Sequence, residues 1–249
     1  MELAQQHFRE PLLELWQEAF GETRAAAEPF LAENFPGGKT WCLTDGGRPV
    51  TMASTIPQQM AVNGASLPIL YVYAVATCKT HRGQGLASRL LRELADQARE
   101  AGISALLLVP AGPHLLPFYA GLGFLPFAHR ARQTLTAAAG AARELSPDAY
   151  LAQRKAFLSA VPHNIPPERV LRHLRLFGDE TGICAGEQTP EGLVFREALG
   201  SADAVRAAAA HLGAARCEAV LPDPKTAYAV IRRLDDRCPE TGYFSLALE

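Results

Sequence analysis

The most constraining feature of the chain is one passage from a strand into a helix through a glycine-containing turn. The stretch Val75–Leu91, VATCKTHRGQGLASRLL, leads from an apolar run into the most regular helical pattern of the sequence. In that helix, predicted over residues 84–101, leucines and alanines recur every three or four positions with charged residues between them. Gly102 follows, as a glycine after a helix end commonly does. Glycines at 83 and 85 are costly beside a helix start unless the backbone there must stay uncovered.

The flanking segments predict a mixed α/β fold of the α+β type. Two helical patterns open the chain, and strand-like runs separated by turn residues then predict an antiparallel meander up to Thr77. Residues 103–109 form a continuous apolar run, which is typical of a strand covered on both faces. A short helix at residues 114–123 and closing strands at 124–137 complete a first predicted domain, residues 1–138.

A second domain is predicted over residues 147–249, after a weakly patterned linker near residues 136–146. Two helical patterns, ending at residue 177, begin it. The order strand, strand, helix, strand, helix, strand then repeats that of the first domain in shortened form, with the last helix at 225–234. Its first strand-to-helix junction, ALGSADAVR, offers Ser201 or Asp203 as an ordinary N-cap and has no glycine-rich turn. We therefore expect a related but degenerate α/β domain without an anion site.

Composition excludes several classes of function. The 249 residues are 48% hydrophobic and 20% charged, with a formal net charge of -2 and no basic tract, so nucleic acid is not an expected partner. No apolar run is long enough to span a membrane, and the first ten residues lack a signal-peptide pattern, so we predict a cytoplasmic protein. Five scattered cysteines without a C-x-x-C pair, and seven histidines without chelating spacing, predict neither disulfides nor a metal site.

The two glycines predict an anion site. A helix start leaves backbone N–H groups unpaired at the positive end of the helix dipole, and glycine lets a ligand approach them. The amides expected to hold a phosphate belong to Gly83, Gln84, Gly85, Leu86 and Ala87. A P-loop is excluded because G-x-x-x-x-G-K-[ST] is absent, and a dinucleotide fingerprint would need a third glycine in place of Ser88. A flexible surface turn remains the alternative for an isolated G-x-G.

The wider arrangement resembles the Gcn5-related N-acetyltransferases, the GNAT superfamily. In that family the pattern R/Q-x-x-G-x-G/A binds the pyrophosphate of acetyl-CoA, and Arg82, Gly85 and Ala87 occupy its specified places. The resemblance covers residues 1 to about 135. With LPFYAGLGF at residues 116–124, the chain is most similar in pattern to the enhanced-intracellular-survival-type acetyltransferases, which carry tandem GNAT-like domains.

The resemblance implies roles for particular residues. The backbone of Val75, Ala76 and Thr77 is expected to pair with the pantetheine arm of acetyl-CoA, and Arg82–Ser88 to hold its diphosphate. Tyr119 is expected to protonate the departing thiolate, although core packing is the alternative for this ring and is the expectation for the neighbouring Phe118. A backbone N–H near Ala76 is expected to stabilise the oxyanion.

This chain departs from the family pattern at three places. Lys79 stands where proline is common, and Gly112 where many relatives have asparagine. No carboxylate lies on the strand that ends at Thr77, so the general base is left open between ordered water and a carboxylate from elsewhere. The carboxylates considered are Glu28, Glu33 and Glu249.

The expected function is acetyl-CoA-dependent transfer of an acetyl group to a primary amine of a small molecule, peptide or protein. The alternative is a non-catalytic CoA-sensing or partner-binding protein on the same fold. The second domain is expected either to wall the acceptor pocket or to give structural support alone. No pattern identifies the acceptor or the oligomeric state.

Overall fold

The computed structural model describes residues 1–34 and 39–246. Its α-helices are α1 (Arg9–Phe20), α2 (Arg24–Asn34), α3 (Leu86–Glu100), α4 (Leu116–Ala120), α5 (Pro147–Phe157), α6 (Glu168–Leu171) and α7 (Ala202–His211). Its β-strands are β1 (Glu2–Leu3), β2 (Thr40–Asp45), β3 (Arg48–Val62), β4 (Ala65–Thr77), β5 (Ala105–Leu108), β6 (Leu125–Thr136), β7 (Arg143–Glu144), β8 (His163–Ile165), β9 (Arg175–Gly178), β10 (Gly182–Thr189), β11 (Gly192–Gly200) and β12 (Arg216–Arg233). None of the described helices is both long and apolar enough to cross a membrane.

The chain forms two compact units that do not follow the sequence in simple halves. The first unit comprises residues up to Pro57, Leu67–Leu125 and Ile231–Cys238. The second comprises Gln58–Ser66, Pro126–Val230 and the described residues from Pro239 onward. Residues 126–138, which the sequence-based division assigns to the first domain, thus lie in the second unit by contact.

The first unit is built on a sheet whose strands follow the order β1, β2, β3, β4 and β5, with the end of β12 beyond β5. Strands β1, β2 and β3 pair antiparallel, whereas β4 and β5 pair parallel with α3 as their crossover. Parallel neighbours need such a crossover helix. Apolar residues of α1 and α2 form one core with Ala74 and Ala76 of β4.

Helix α3 confirms the strongest helical pattern in the sequence. It begins at Leu86, two residues after the predicted start, and Gly102 follows its end with a φ of +76°. Its apolar side chains are buried as the pattern predicts; they are Leu90, Leu91, Leu94, Ala95 and Ala98. Burial of this one face fixes which residues of the helix start face outward.

The second unit carries a sheet in the order β12, β11, β10, β9 and β7, with β6 paired to β12 and β8 paired to the end of β3. Helix α7 contributes Val205, Ala208 and Ala209 to a core with Phe177 and Phe195. From residue 182 to residue 222, the predicted order of two strands, one helix and a further strand is confirmed by β10, β11, α7 and the first part of β12.

Three predicted elements of the second half are wrong or incomplete. A helix was predicted over residues 225–234, but residues 225–233 form the last part of β12, because strand pairing overrides a short apolar run whose periodicity is ambiguous. The helix predicted over 166–177 is limited to α6, and β9 follows it. Of the strand predicted at 242–249, Tyr243 forms an isolated bridge with His163, and residues 247–249 lie outside the described residues.

Candidate active site

Among the described residues, no strand pairs with the carboxyl end of β4 on the edge away from β3, hereafter the open edge. Pairing between β4 and β5 runs only from Ile69↔Ala105 to Tyr71↔Leu107, and β5 ends at Leu108 while β4 continues to Thr77. Ala74 lies between the paired and unpaired parts with a φ of +53°, a left-handed conformation that is rare for alanine. The strand therefore changes direction at Ala74 and leaves its last residues without a partner from β5.

The backbone direction of these residues follows from one hydrogen bond. The Cys78 N–H donates to the Val50 carbonyl of β3, with 2.9 Å between nitrogen and oxygen. Successive residues of a strand direct their N–H and C=O groups to opposite edges, so Ala76 faces β3 together with Cys78. Val75 and Thr77 face the open edge.

The turn between β4 and α3 requires glycine at two positions. Gly83 and Gly85 have φ angles of +77° and +73°, and nothing lies within 4 Å of the position that a Cβ would occupy on either residue. The left-handed backbone, rather than crowding, explains both glycines. Gly85 is the N-cap of α3, and it has no side chain with which to cap the helix.

Residues Gly83–Ser88, hereafter the glycine turn, present a row of free hydrogen-bond donors. None of their backbone N–H groups donates a hydrogen bond within the described part of the chain, and the first bond of α3 is from the Arg89 N–H to the Gly85 carbonyl. Gly83, Gln84 and Gly85 are exposed, whereas Leu86, Ala87 and Ser88 are half-buried. Consecutive free donors at the positive end of a long helix form an anion site.

Arg82 links the glycine turn to β4. Its Nε donates to the Thr77 carbonyl oxygen at 3.0 Å. Its terminal guanidinium nitrogens make no hydrogen bond within the described residues, and the side chain is exposed. Arg82 can therefore offer a cation to an anion held by the turn.

A second contact joins α1 to the start of the same loop. Residues 79–81 form a 3-10 turn, and its first N–H, that of Lys79, donates to Glu18 Oε1 at 2.5 Å. Proline at position 79 would have no N–H to donate. No sequence pattern indicates this role for Glu18, since a carboxylate on an exposed helix face is the ordinary state of such residues.

Tyr119 lies in α4, in the chain segment that follows β5. Because β4 and β5 are parallel, their carboxyl ends lie at the same side of the sheet, where ligands of α/β proteins commonly bind. The ring is 6% exposed and contacts Phe118 and Phe124 edge-on, with centroids 5.1 and 5.8 Å away. Burial raises the pKa of its hydroxyl to about 12, so the hydroxyl is protonated at neutral pH.

Two details of α4 refine the sequence-based interpretation. Phe118, expected to pack in the core, is 37% exposed, and Tyr119 is the buried member of the pair. The Tyr119 hydroxyl forms no hydrogen bond with any described residue. The ring packs, but its polar end is left for another partner.

Glu28 is the candidate base whose side chain the structure describes, and two arginines lie beside it. Glu28 Oε1 accepts a hydrogen bond from Arg9 at 2.6 Å, and Arg24 lies 4.0 Å from its other oxygen. The Glu33 side chain and Glu249 lie outside the described part of the structure. Among the described residues, no group of three or more His, Cys, Asp or Glu side chains is arranged to hold a metal ion.

The corresponding helix start of the second unit is closed. Ser201 Oγ accepts the Asp203 N–H at 3.1 Å, so this side chain caps α7. The residue before it, Gly200, has a φ of +78°, but a Cβ there would lie 2.3 Å from the Thr181 carbonyl oxygen. Close packing as well as the left-handed backbone therefore requires glycine there, whereas Gly83 and Gly85 have open space at the Cβ position.

Comparison with known proteins agrees with these features. A model of the acetyltransferase (GNAT) domain matches residues 2–127, just over half of the chain. The comparison with curated proteins found no match.

Solved structures extend the likeness to both units. The chain is similar to a GCN5-related N-acetyltransferase from Kribbella flavida, with 20% identity and a TM-score of 0.74 over 94% of this chain and 71% of that one. It is similar to Eis1 from Mycobacterium abscessus, with 13% identity and a TM-score of 0.64 over 94% and 73% of the two chains. It is also similar to a putative acetyltransferase from Pyrococcus horikoshii, with 13% identity and a TM-score of 0.63 over 99% of this chain and 93% of that one. At these identities the likeness shows the fold, and the mixed α/β fold with a second GNAT-like unit is confirmed. The matched domain and this fold together place the chain in the GNAT acetyltransferase family.

Proposed function

We propose that this protein is an acetyl-CoA-dependent N-acetyltransferase that acetylates a primary amine of a small molecule, peptide or protein. The observation that carries the proposal is the row of free backbone N–H groups in the glycine turn, directly beyond the open edge of β4. A diphosphate attached to an extended, amide-containing arm is complementary to both features at once.

The cofactor roles divide between strand and turn. The amide groups of pantetheine would pair with Val75 and Thr77 on the open edge, as an added strand pairs with a sheet. The diphosphate would accept hydrogen bonds from the glycine turn, with the charge of Arg82 beside it. Val75 or Thr77 would also offer the N–H that stabilises the thioester oxyanion, because Ala76 faces β3.

The transfer needs one proton donor at the sulfur. The amine nitrogen attacks the thioester carbonyl carbon, the carbon–sulfur bond breaks, and the CoA thiolate takes the hydroxyl proton of Tyr119. The proton released by the amine returns to Tyr119 through water, since the described carboxylate considered as a base, Glu28, is paired with Arg9. The raised pKa of Tyr119 keeps its proton in place until a thiolate develops.

A non-catalytic CoA-binding protein is the second candidate, favoured by the absence of a carboxylate on the open end of β4 and by Gly112. One experiment separates the two: acetyl-CoA is supplied with a panel of amines and release of the free thiol is followed. Thiol release that depends on one class of amine supports the enzyme. Tight binding of CoA with no release on any amine supports the binder, and absence of binding contradicts both.

A further inference from the structure

Thr51 of β3 makes two hydrogen bonds beneath the end of β4. Its side chain is fully buried, with 0% exposure. Its Oγ1 lies 2.7 Å from the Ala76 carbonyl oxygen and 2.8 Å from Thr77 Oγ1. A carbonyl oxygen only accepts, so the single hydroxyl proton of Thr51 is donated to Ala76, and Thr77 must donate to Thr51.

These bonds act on the peptide group that faces the open edge. The Ala76 carbonyl and the Thr77 N–H belong to the same peptide unit, so a donor on the carbonyl fixes the plane of the unit and polarises its N–H. The Thr77 carbonyl in turn accepts from Arg82 Nε at 3.0 Å. A continuous chain of contacts thus runs from Thr51 through Thr77 to Arg82.

We infer that Thr51 is a positioning residue for the cofactor. This inference rests on the proposed function. The buried hydroxyl of Thr51, which no ligand can touch, sets the direction of the Thr77 N–H and, through Thr77, the position of the Arg82 guanidinium. Affinity for acetyl-CoA therefore depends on a side chain on the far side of β4 from the open edge. Sequence alone offered no signal, because threonine is common in strands.

The same unit contains a matched control. Thr40 of β2 is 1% exposed, and its Oγ1 lies 2.9 Å from Ser54 Oγ of β3. This pair is also a buried hydroxyl contact between strands, but it has no bond to β4. Thr40→Val and Thr51→Val therefore remove the same group from comparable surroundings.

The experiment measures the Kd of acetyl-CoA by calorimetry and the melting temperature for wild type, Thr51→Val, Thr51→Ser and Thr40→Val. We expect Thr51→Val to raise Kd by about threefold to tenfold, the range that loss of one hydrogen bond gives. Thr51→Ser should restore Kd to within about twofold of wild type, since the donor is retained. Thr40→Val should lower the melting temperature as much as Thr51→Val does and leave Kd unchanged.

An unchanged Kd in Thr51→Val, or an equal loss of affinity in Thr40→Val, would overturn the inference while leaving the proposed function intact. A wild-type protein that binds no acetyl-CoA would overturn both. If Thr51→Val does not fold, Thr51→Ala removes the same hydroxyl with a smaller side chain. A Kd within error of wild type in that variant would equally contradict the inference.

Discussion

Tyr119 combines a buried ring with a hydroxyl that no described residue binds. The ring contacts Phe118 and Phe124, and burial raises the pKa of the hydroxyl to about 12. Tyr150 of the second unit is the opposite case, because its hydroxyl donates to Glu197 at 2.5 Å. A tyrosine with a structural role uses its hydroxyl in a hydrogen bond to the protein, whereas the Tyr119 hydroxyl is left for a ligand.

Removing the Tyr119 hydroxyl should therefore lower the catalytic rate, whereas removing the Tyr150 hydroxyl should lower stability. Tyr119→Phe should lower kcat by roughly 100-fold, the scale of general acid catalysis, with little change in melting temperature or in Kd for acetyl-CoA. Tyr150→Phe should lower the free energy of unfolding by about 1 to 3 kcal/mol, because Glu197 loses a buried donor, and leave kcat near wild type. Steady-state kinetics and thermal melts on the two variants measure both effects. Wild-type turnover in Tyr119→Phe would show that this hydroxyl is not the acid.

The raised pKa of Tyr119 also predicts a pH dependence. The folded protein keeps this proton between pH 10 and about 12, where the unfolded chain loses it. The stabilisation linked to it is therefore complete below pH 10 and is lost as the pH rises toward 12. Ionisation of Tyr119 should accordingly cause no fall in kcat up to about pH 10 in a rate profile. An alkaline fall near pH 8 that disappears in Tyr119→Phe would contradict this assignment.

The sequence alone indicates residues whose role follows from their own type and their immediate neighbours in the chain. Gly83 and Gly85 were predicted to belong to an anion site because glycine leaves the amides of a helix start uncovered; the structure adds a left-handed backbone at both residues. Ala74 and Thr51 could not be found in that way. Alanine gives no indication of a left-handed φ, and a buried threonine in a strand acquires its role only from the carbonyl that lies beside it.

At the scale of elements, the start of α3 determines the site. Gly85 and Gly102 stand at its two ends with φ angles of +73° and +76°, and neither has a neighbour within 4 Å of a Cβ position. A substitution therefore imposes similar backbone strain at both ends of the same helix. Only Gly85 lies among the free N–H groups.

This pair separates cofactor binding from helix strain. Gly85→Asp and Gly102→Asp should each destabilise the free protein by about 1 kcal/mol or more, from the left-handed conformation. Acetyl-CoA should still raise the melting temperature of Gly102→Asp but not that of Gly85→Asp, where a carboxylate occupies the anion site. Thermal melts with and without acetyl-CoA measure the difference. Equal stabilisation of the two variants by the cofactor would remove the glycine turn from the site.

The elements predicted correctly are those whose pattern is long. Helix α3 shows its apolar face over four turns, and a helical period of that length does not fit the alternation of a strand. Residues 225–234 carry only a short apolar run, and residues up to Arg233 extend strand β12. Strand pairing of this kind depends on distant residues, so a local pattern could not predict it.

At the scale of the molecule, the two units exchange segments. Ile231–Cys238, late in the chain, belong to the first unit, where the Leu234 N–H donates to the Ser104 carbonyl beside β5. A fragment ending at Ala138 would lack this segment. The sequence predicted two related halves, but no local pattern could show which residues each half takes from the other.

The second unit is organised around a buried ion pair. Arg154 Nε lies 3.0 Å from Glu197 Oε2, and the two side chains are 2% and 0% exposed. Burial by itself would raise the pKa of Glu197, but the charge of Arg154 and its hydrogen bond outweigh this and hold the pKa below 4.5. The carboxylate therefore contributes stability above pH 4.5 that is lost as the pH falls through the lower folded-state pKa.

Breaking this pair should be costly. Glu197→Gln leaves Arg154 buried without a counter-charge and should lower the free energy of unfolding at pH 7 by about 3 kcal/mol. The difference from wild type should shrink as the pH is lowered below 4. Glu187→Gln, which breaks a half-exposed pair with Arg196, is the control and should cost less than about 1 kcal/mol. Denaturant unfolding at pH 7 and at a pH below 4 measures these differences. An equal loss of unfolding free energy in the two variants would contradict the prediction.

The central claim is that acetyl-CoA binds on the glycine turn and the open edge of β4. Amide hydrogen exchange, resolved by residue with and without acetyl-CoA, tests it most directly. We predict slower exchange at Gly83–Ser88 and at the N–H groups of Val75 and Thr77, and no change at residues 201–205, where Ser201 caps α7. Unchanged exchange across Gly83–Ser88 at saturating acetyl-CoA, or protection at residues 201–205 in its place, would contradict the account.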